Sequence, residues 1–418
     1  MHNNKKHPAA FTALLLGGAA PWALAADGFI EASSATLQMR NFYMNRDFRD
    51  GAGDSRHEEW AHGFLFDYRS GYTAGTVGFG LDAMGRLGLK LDSGKGRSGT
   101  GLLAVQDDGR AADDYGRLDG TFKARVSRSE LKLGALVTRL PTLQPNNGRL
   151  FPQTFHGGLV ESREWEGLGL TLARLDEVSQ RNEGGRSDLA LYNRNKRFTA
   201  GLRAGHLDLA GVDWEARPGW TLSYHHAELE DLYRQDFFGL KGRVPLGGDR
   251  LELDLRLFDS RDASTGWRRE IDNRALGALF TYRRHDGHAL GLGLQRMSGR
   301  TAFPYVQGAD AYLVNFGQYY DFAERGERSW QLRYDFDFAT LGVPGLALMA
   351  RYFKAGDGEL GDGRSVHGWE RDTDLRYVVQ SGPLKDLGLT WRNAVYRTSV
   401  GRGVDENRVI LSYSLALF

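Results

Sequence analysis

The chain is predicted to fold as a closed, antiparallel, transmembrane β-barrel, and three observations predict it. The first is strict two-residue alternation. In Ser329–Phe338, Trp330, Leu332, Tyr334, Phe336 and Phe338 share one face, while Ser329, Gln331, Arg333, Asp335 and Asp337 share the other, because successive strand side chains point to opposite sides. The second is the start of the chain. Lys5 and Lys6, an apolar run from Phe11 and the small-residue site Ala23-Leu24-Ala25 read as a cleaved export leader over residues 1–25. The third is the character of the remaining sequence. There is no cysteine, and no apolar run after residue 25 comes near the ~18 residues of a membrane helix. An exported chain whose strands are apolar on one face and charged on the other suits a barrel with lipid outside and water inside.

The alternation recurs along the chain. Leu118, Gly120, Phe122, Ala124 and Val126 oppose Asp119, Thr121, Lys123 and Arg125; Ser127-Arg128-Ser129 turns the chain, and Leu131, Leu133, Ala135 and Val137 resume the apolar face. Rows at Leu168–Leu172, Trp220–Tyr224, Leu251–Leu257, Leu276–Tyr282, Leu375–Val379, Leu387–Trp391 and Val409–Leu417 repeat it. Short connections (Ser127–Ser129, His285–Gly287, Ser381–Lys385) contrast with long polar ones (Asp92–Gly116, Leu140–Gly157, Ser298–Arg328, Ala355–Glu370). Short turns at one end and long loops at the other mark a spanning barrel. No linker divides residues 26–418, so they are expected to form one barrel domain.

Several motifs have simpler readings. Gly78-Phe-Gly-Leu-Asp-Ala matches a dinucleotide pattern, but Leu87-Gly-Leu-Lys-Leu continues a strand where a helix is required. Asp357–Gly363 matches no calcium loop, and the eleven histidines include no H-E-x-x-H pair. No G-x-S-x-G elbow occurs. Acidic and basic residues nearly balance, 53 against 54, which gives no electrostatic footprint for nucleic acid. No cofactor and no metal are expected.

One constellation points to chemistry. Arg376, Arg392 and Arg408 all fall on the polar, inward parity of the last three strands, at similar distances from the intervening connections. An up-and-down barrel then sets three guanidiniums at similar height on adjacent strands. The ordinary reading is lumen arginines paired to a loop. The functional reading is a basic track for anions, since charged rings set pore selectivity and the planar fork of arginine bonds carboxylates bidentately.

The stretches GFIEASS (28–34), RNFYMNRD (40–47), GTVGFGLDAMGRLGLKLD (75–92), RLFPQT (149–154), LEDLYRQ (229–235), SWQLRYD (329–335), GVPGLALMARY (342–352) and RYVVQSGPLKDL (376–387) resemble the OprD (Occ) outer-membrane porins of pseudomonads. The resemblance implies an 18-stranded barrel with one loop folded inward, taking up small carboxylate-bearing nutrients. It implies partners in outer-membrane lipid and lipopolysaccharide, and a barrel acting as a monomer or in loose trimers. It places the inward loop at Leu140–Gly157 with Arg149 on it, extends the basic ladder to Arg46, Arg376, Arg392 and Arg408, and makes Tyr192 and Asp321 pore-lining positions facing the basic side. Thr390 stands where the basic-amino-acid channels of the family carry an arginine. The segment LPTLQPNNGRLFPQTF resembles the branch that prefers aromatic and other monocarboxylates. An alternative of another class is an outer-membrane enzyme, phospholipase-like, with a nucleophile–His–polar set on the barrel wall. A closed structural barrel is a third.

Overall fold

Half-polar strands with unpaired edges have one stable arrangement in lipid, a ring closed on itself, because only closure gives every backbone group a partner. The computed structural model, which describes residues 28–263 and 271–418, has this form; the expected leader at residues 1–25 lies outside the described residues. Its strands are β1 (Ser34–Arg49), β2 (Arg56–Arg69), β3 (Gly78–Asp92), β4 (Asp114–Val126), β5 (Ser129–Leu136), β6 (Thr154–Ser162), β7 (Leu168–Ser179), β8 (Ser187–Ala190), β9 (Arg203–Ala204) and β10 (Leu207–Arg217). The second half holds β11 (Trp220–Leu229), β12 (Tyr233–Leu246), β13 (Asp249–Asp262), β14 (Asp272–Arg283), β15 (His288–Gly299), β16 (Arg328–Asp337), β17 (Leu346–Glu359), β18 (Ser365–Val378), β19 (Gly388–Thr398) and β20 (Gly403–Ala416).

Each strand pairs antiparallel with the next, except that β7 pairs directly with β10 and leaves the short β8 and β9 in the loop between them. β20 pairs with β1 from Thr36↔Ala416 to Arg49↔Gly403. The ring is therefore an 18-stranded closed antiparallel barrel. At one end the connections are short; Ser127–Arg128 joins β4 to β5, with Ser127 left-handed at φ 52°. The other end carries the long loops 93–113, 137–153, 180–206 and 300–327.

The outer face is apolar as the alternation requires. Leu118, Leu172, Leu276, Leu290, Leu332, Leu389 and Trp391 are exposed, while the alternate positions Asp119, Ser329 and Gln331 are buried inside. One predicted loop is mostly strand. Ala355–Glu370 has the composition of a long connection, yet β17 runs to Glu359 and β18 starts at Ser365. A bulge between Ala355 and Gly358, with Asp357 at φ 60°, absorbs the turn-forming residues and lets the ladder continue.

The lumen is less wet than its charges suggest. Leu102, Leu103, Leu150 and Phe151 from two inward loops pack on Phe42, Met44 and Ala61 of the wall. Leu143, Leu191 and Val306 from three such loops pack around Phe155, Leu175, Leu207 and Tyr233. Each fully buried side chain of this kind stabilises the packed loops by roughly 1.5–3 kcal/mol. The inner wall is thus apolar where loops cover it and charged where they leave a passage.

Candidate functional site

The passage is bounded on one side by β18, β19, β20 and β1. Arg392 stands directly opposite Arg408 in the β19–β20 ladder. Like charges directly opposite destabilise a sheet, and each of these two guanidiniums bonds a different carboxylate. Arg392 donates from Nε (2.8 Å) and Nη2 (2.6 Å) to Asp374, its partner across the β18–β19 ladder. Arg408 donates from Nε to Glu406 (2.7 Å) and from Nη2 to the Gln318 carbonyl (3.2 Å). Glu406 is buried and also accepts from Arg46, its partner across the β1–β20 ladder.

Arg376 corrects the expectation of three level arginines. It pairs with Thr390, not Arg392, so it sits one inward step nearer the short turns and is exposed. Arg46, opposite Glu406, sits one inward step beyond Arg408 toward the long loops. The four arginines form a staircase along the passage. Arg392 and Arg408 are held in ion pairs within it, with carboxylates of their own strands or a neighbouring one rather than of a loop.

Arg149 lies inside the barrel, on the connection between β5 and β6. That connection is residues 137–153, so the last four residues of the expected loop, Thr154–Gly157, already belong to β6. The loop follows the wall because Gly63 leaves room for it: a Cβ there would lie 3.1 Å from Phe151 and 3.2 Å from Leu150. Arg40 of β1 donates to the Arg149 carbonyl. Arg149 is 6% exposed, and among the described residues its guanidinium donates only to carbonyl oxygens, from Nε to Thr100 (2.9 Å) and from Nη1 to Gly148 (2.7 Å). Burial, then the charges of Arg408, Arg181 and Arg46, hold its pKa well below the usual arginine range. This loop is tied to a second inward loop: the Gln144 carbonyl accepts from Asp310 N (2.8 Å), and Asn146 Nδ2 donates to the Asp310 carboxylate.

Asp321 is placed differently from its expected pore-lining role. Asp321 is 3% exposed and withdrawn into a fork with Arg197, whose Nη1 and Nη2 donate to its two oxygens, while Tyr305 Oη donates to it at 2.6 Å. Burial alone would raise the Asp321 pKa; Arg197 outweighs it and holds the carboxyl well below its usual range. Arg197 donates to Glu324 as well, from Nε (3.0 Å) and Nη2 (2.8 Å). Asp321 therefore anchors a loop. Tyr192 is half-buried against the Tyr305 ring, 4.7 Å between centroids.

Sequence reading missed four contributors. Arg40 shares the parity of Arg46, and that signal was legible. Arg181 sits in a polar turn with nothing in the sequence to bring it beside Arg149, yet a Cβ on Gly101 would lie 3.4 Å from Arg149 Nε and 3.6 Å from Arg181 Nη2. Glu370 and Asp372 of β18 hold the second inward loop to the wall. Glu370 accepts from the backbone of Tyr319 (2.7 Å) and Tyr320 (2.8 Å), and Asp372 from that of Gln318 (3.1 Å).

An 18-stranded ring with an apolar outer band and a charged passage narrowed by its own loops is the architecture of an outer-membrane channel. Residues 27–417 match the family described as outer membrane porin, OprD family. A porin-like protein, GalP, of Pseudomonas putida is 41% identical, the alignment covering 96% of each chain. The crystal structure of Pseudomonas aeruginosa OccK9 (OpdG) superposes with a TM-score of 0.90 at 47% identity, covering 94% of this chain and 100% of that one. That of Pseudomonas aeruginosa OpdK with vanillate superposes with a TM-score of 0.87 at 40% identity, covering 93% and 100%. The chain belongs to the OprD family of outer-membrane porins, and it is a substrate-specific channel of the outer membrane.

Proposed function

We propose that the channel passes small carboxylates, guided along the arginine staircase past the loop that carries Arg149. The observation that carries this reading is Arg149, a buried guanidinium held on two carbonyl oxygens beside other arginines, with no carboxylate of its own among the described residues. The charges that act on it most are those of Arg408, Arg181 and Arg46, with Glu406 opposing them. Low-dielectric walls focus such a field and raise the local anion concentration. Release requires that no single site bind tightly, and a series of partly satisfied arginines meets that condition. The structure of OpdK with vanillate, an aromatic monocarboxylate, supports an aromatic monocarboxylate as substrate. Export through a leader at residues 1–25 is part of the reading, and N-terminal sequencing of the mature protein should begin at Ala26.

Reversal potential in a salt gradient, together with uptake of single monocarboxylates, tests the proposal. Anion preference in the wild type, weakened by Arg392→Ala and not by Arg128→Ala at an exposed arginine of the β4–β5 turn, supports it. Equal shifts from the two variants, or none, would remove the staircase from the mechanism.

A further inference from the structure

Beyond the staircase, on the long-loop side, lies a cavity of about 330 Å³ walled by Phe48, Arg194, Tyr319, Tyr320, Tyr396 and Arg402. Its volume is at the lower end of the ~300–1,000 Å³ that small-molecule sites occupy. We propose that it is a capture site for planar aromatic carboxylates, taking the ring against Phe48 and Tyr319 and the carboxylate on Arg194. This rests on the carboxylate reading above.

Arg194 is presented, not left to wander. It begins the short 3-10 turn Arg194–Lys196, whose Asn195 and Lys196 are left-handed at φ 54° and 57°. Asn195 Nδ2 donates to Glu324 (2.7 Å), its carbonyl accepts from Gly361 N (3.3 Å), and the turn runs directly into the Arg197 that grips Asp321 and Glu324. The turn is therefore fixed on both sides. Arg194 itself donates to the Tyr319 carbonyl at 3.0 Å and lies over the Tyr319 and Tyr320 rings, 5.0 and 4.7 Å from their centroids. No carboxylate reaches it within ion-pair distance among the described residues. The lining carboxylate Asp54 leans to His57, 3.8 Å away. The carboxylate that acts on it most, Asp321, is already forked by Arg197, so the half-buried Arg194 guanidinium keeps donors for an incoming carboxylate.

The rings select the rest of the ligand. Tyr320 and Tyr396 are stacked 4.8 Å apart and buried, which fixes the back wall, while Tyr319 and Phe48 are half-buried and line the cavity where a flat apolar body would lie. Tyr319 also joins the cavity to the passage. Its ring centroid is 5.0 Å from the Arg194 guanidinium and 5.7 Å from that of Arg46, the outermost step of the staircase. A carboxylate leaving Arg194 has Arg46 as its next cation.

The test measures flux through the purified channel in liposomes, with benzoate, cyclohexanecarboxylate and acetate as probes, in wild type, Arg194→Gln, Tyr319→Leu and Arg392→Gln. Heat-modifiable gel migration checks folding, and if Arg194→Gln fails it, Tyr319→Leu carries the same test. We expect Arg194→Gln to raise the half-saturating benzoate concentration about tenfold, and Tyr319→Leu to abolish any preference for benzoate over cyclohexanecarboxylate. Arg392→Gln should lower flux of all three probes. If Arg392→Gln lowers flux while Arg194→Gln leaves benzoate saturation unchanged, the capture site is wrong and the carboxylate reading stands. An equal rise for acetate overturns the aromatic assignment. If neither arginine variant alters any carboxylate flux, the carboxylate reading falls, and the site with it.

Discussion

Arg392 and Arg408 face each other across the β19–β20 ladder, and each is held by a different carboxylate, Asp374 and Glu406. Two like charges in register are tolerated because each bonds a different carboxylate, Glu406 being shared with Arg46. The passage keeps its guanidiniums ordered without enough repulsion between them to open the sheet.

Arg392→Ala should weaken anion preference and also destabilise the barrel, in contrast to an exposed surface arginine. Asp374 Oδ2 accepts both Arg392 bonds, and its buried Oδ1 has no hydrogen-bond partner among the described residues. Stranding a largely buried carboxylate costs about 1–3 kcal/mol. Urea unfolding in detergent should show the loss for Arg392→Ala and its partial recovery in Arg392→Ala with Asp374→Asn. No loss, or no recovery, would show that the pair is not what holds Asp374.

Deleting Gln144–Arg149 should raise single-channel conductance. The deletion removes Arg149 from the lumen and cuts the ties of Gln144 and Asn146 to Asp310. Unchanged or lower conductance in a folded deletion variant would mean another loop sets the narrowest point.

Gly63→Val should act in the same direction by another route. Its Cβ would press on Leu150 and Phe151 at 3.2 and 3.1 Å, closer than ordinary van der Waals contact between carbons. The barrel strand itself tolerates valine. The expected result is a folded barrel with higher, noisier conductance; wild-type traces would mean that the loop adapts in place.

Asp321→Asn should destabilise the protein far more than Asp188→Asn, a variant at an exposed ion pair. Breaking a buried ion pair by removing one partner costs roughly 3–5 kcal/mol, whereas an exposed pair contributes ~0–1 kcal/mol. Because the folded pKa of Asp321 is depressed, its contribution is present above the unfolded value near ~4 and is lost only as pH falls through the lower folded value. Thermal unfolding in detergent at pH 4 and 7 should keep the two variants apart at both; coincident melting curves would refute the anchoring role.

Glu327 gives a pH dependence of opposite sign. It sits just before β16, 3% exposed, and burial raises its pKa to about 8, with the charges of Glu324 and Asp321 adding and Arg197 opposing. Unfolded, it titrates near ~4.3. The stability linked to its protonated form is fully present below that value and is lost as pH rises toward 8. Glu327→Gln keeps an oxygen for the Glu324 N–H, which now donates to Glu327 Oε2 at 2.9 Å. The variant should melt like wild type at pH 4 and higher than wild type at pH 9; a difference at pH 4, or none at pH 9, would contradict this.

Alternation along the chain was enough to read the barrel, because a strand between lipid and water must segregate its side chains every second residue. The same parity placed Arg376, Arg392 and Arg408 inside, and the prolines of the β5–β6 connection marked a segment unable to continue a strand. Height along the passage was not legible in that way. A two-residue slip in the β18–β19 register set Arg376 against Thr390 and Asp374 against Arg392, and register depends on how neighbouring strands pair and on the turn between them, not on parity. Nor was the partnership of Asp321 with Arg197, 124 positions apart in the chain, or of Arg149 with Arg181 and Arg408. These meet only because loops from distant connections pack into one lumen. Periodicity is a local property and can be read from neighbouring residues; which charges neutralise one another, and which are left for a substrate, is decided by contacts that exist only once the ring has closed around its own loops.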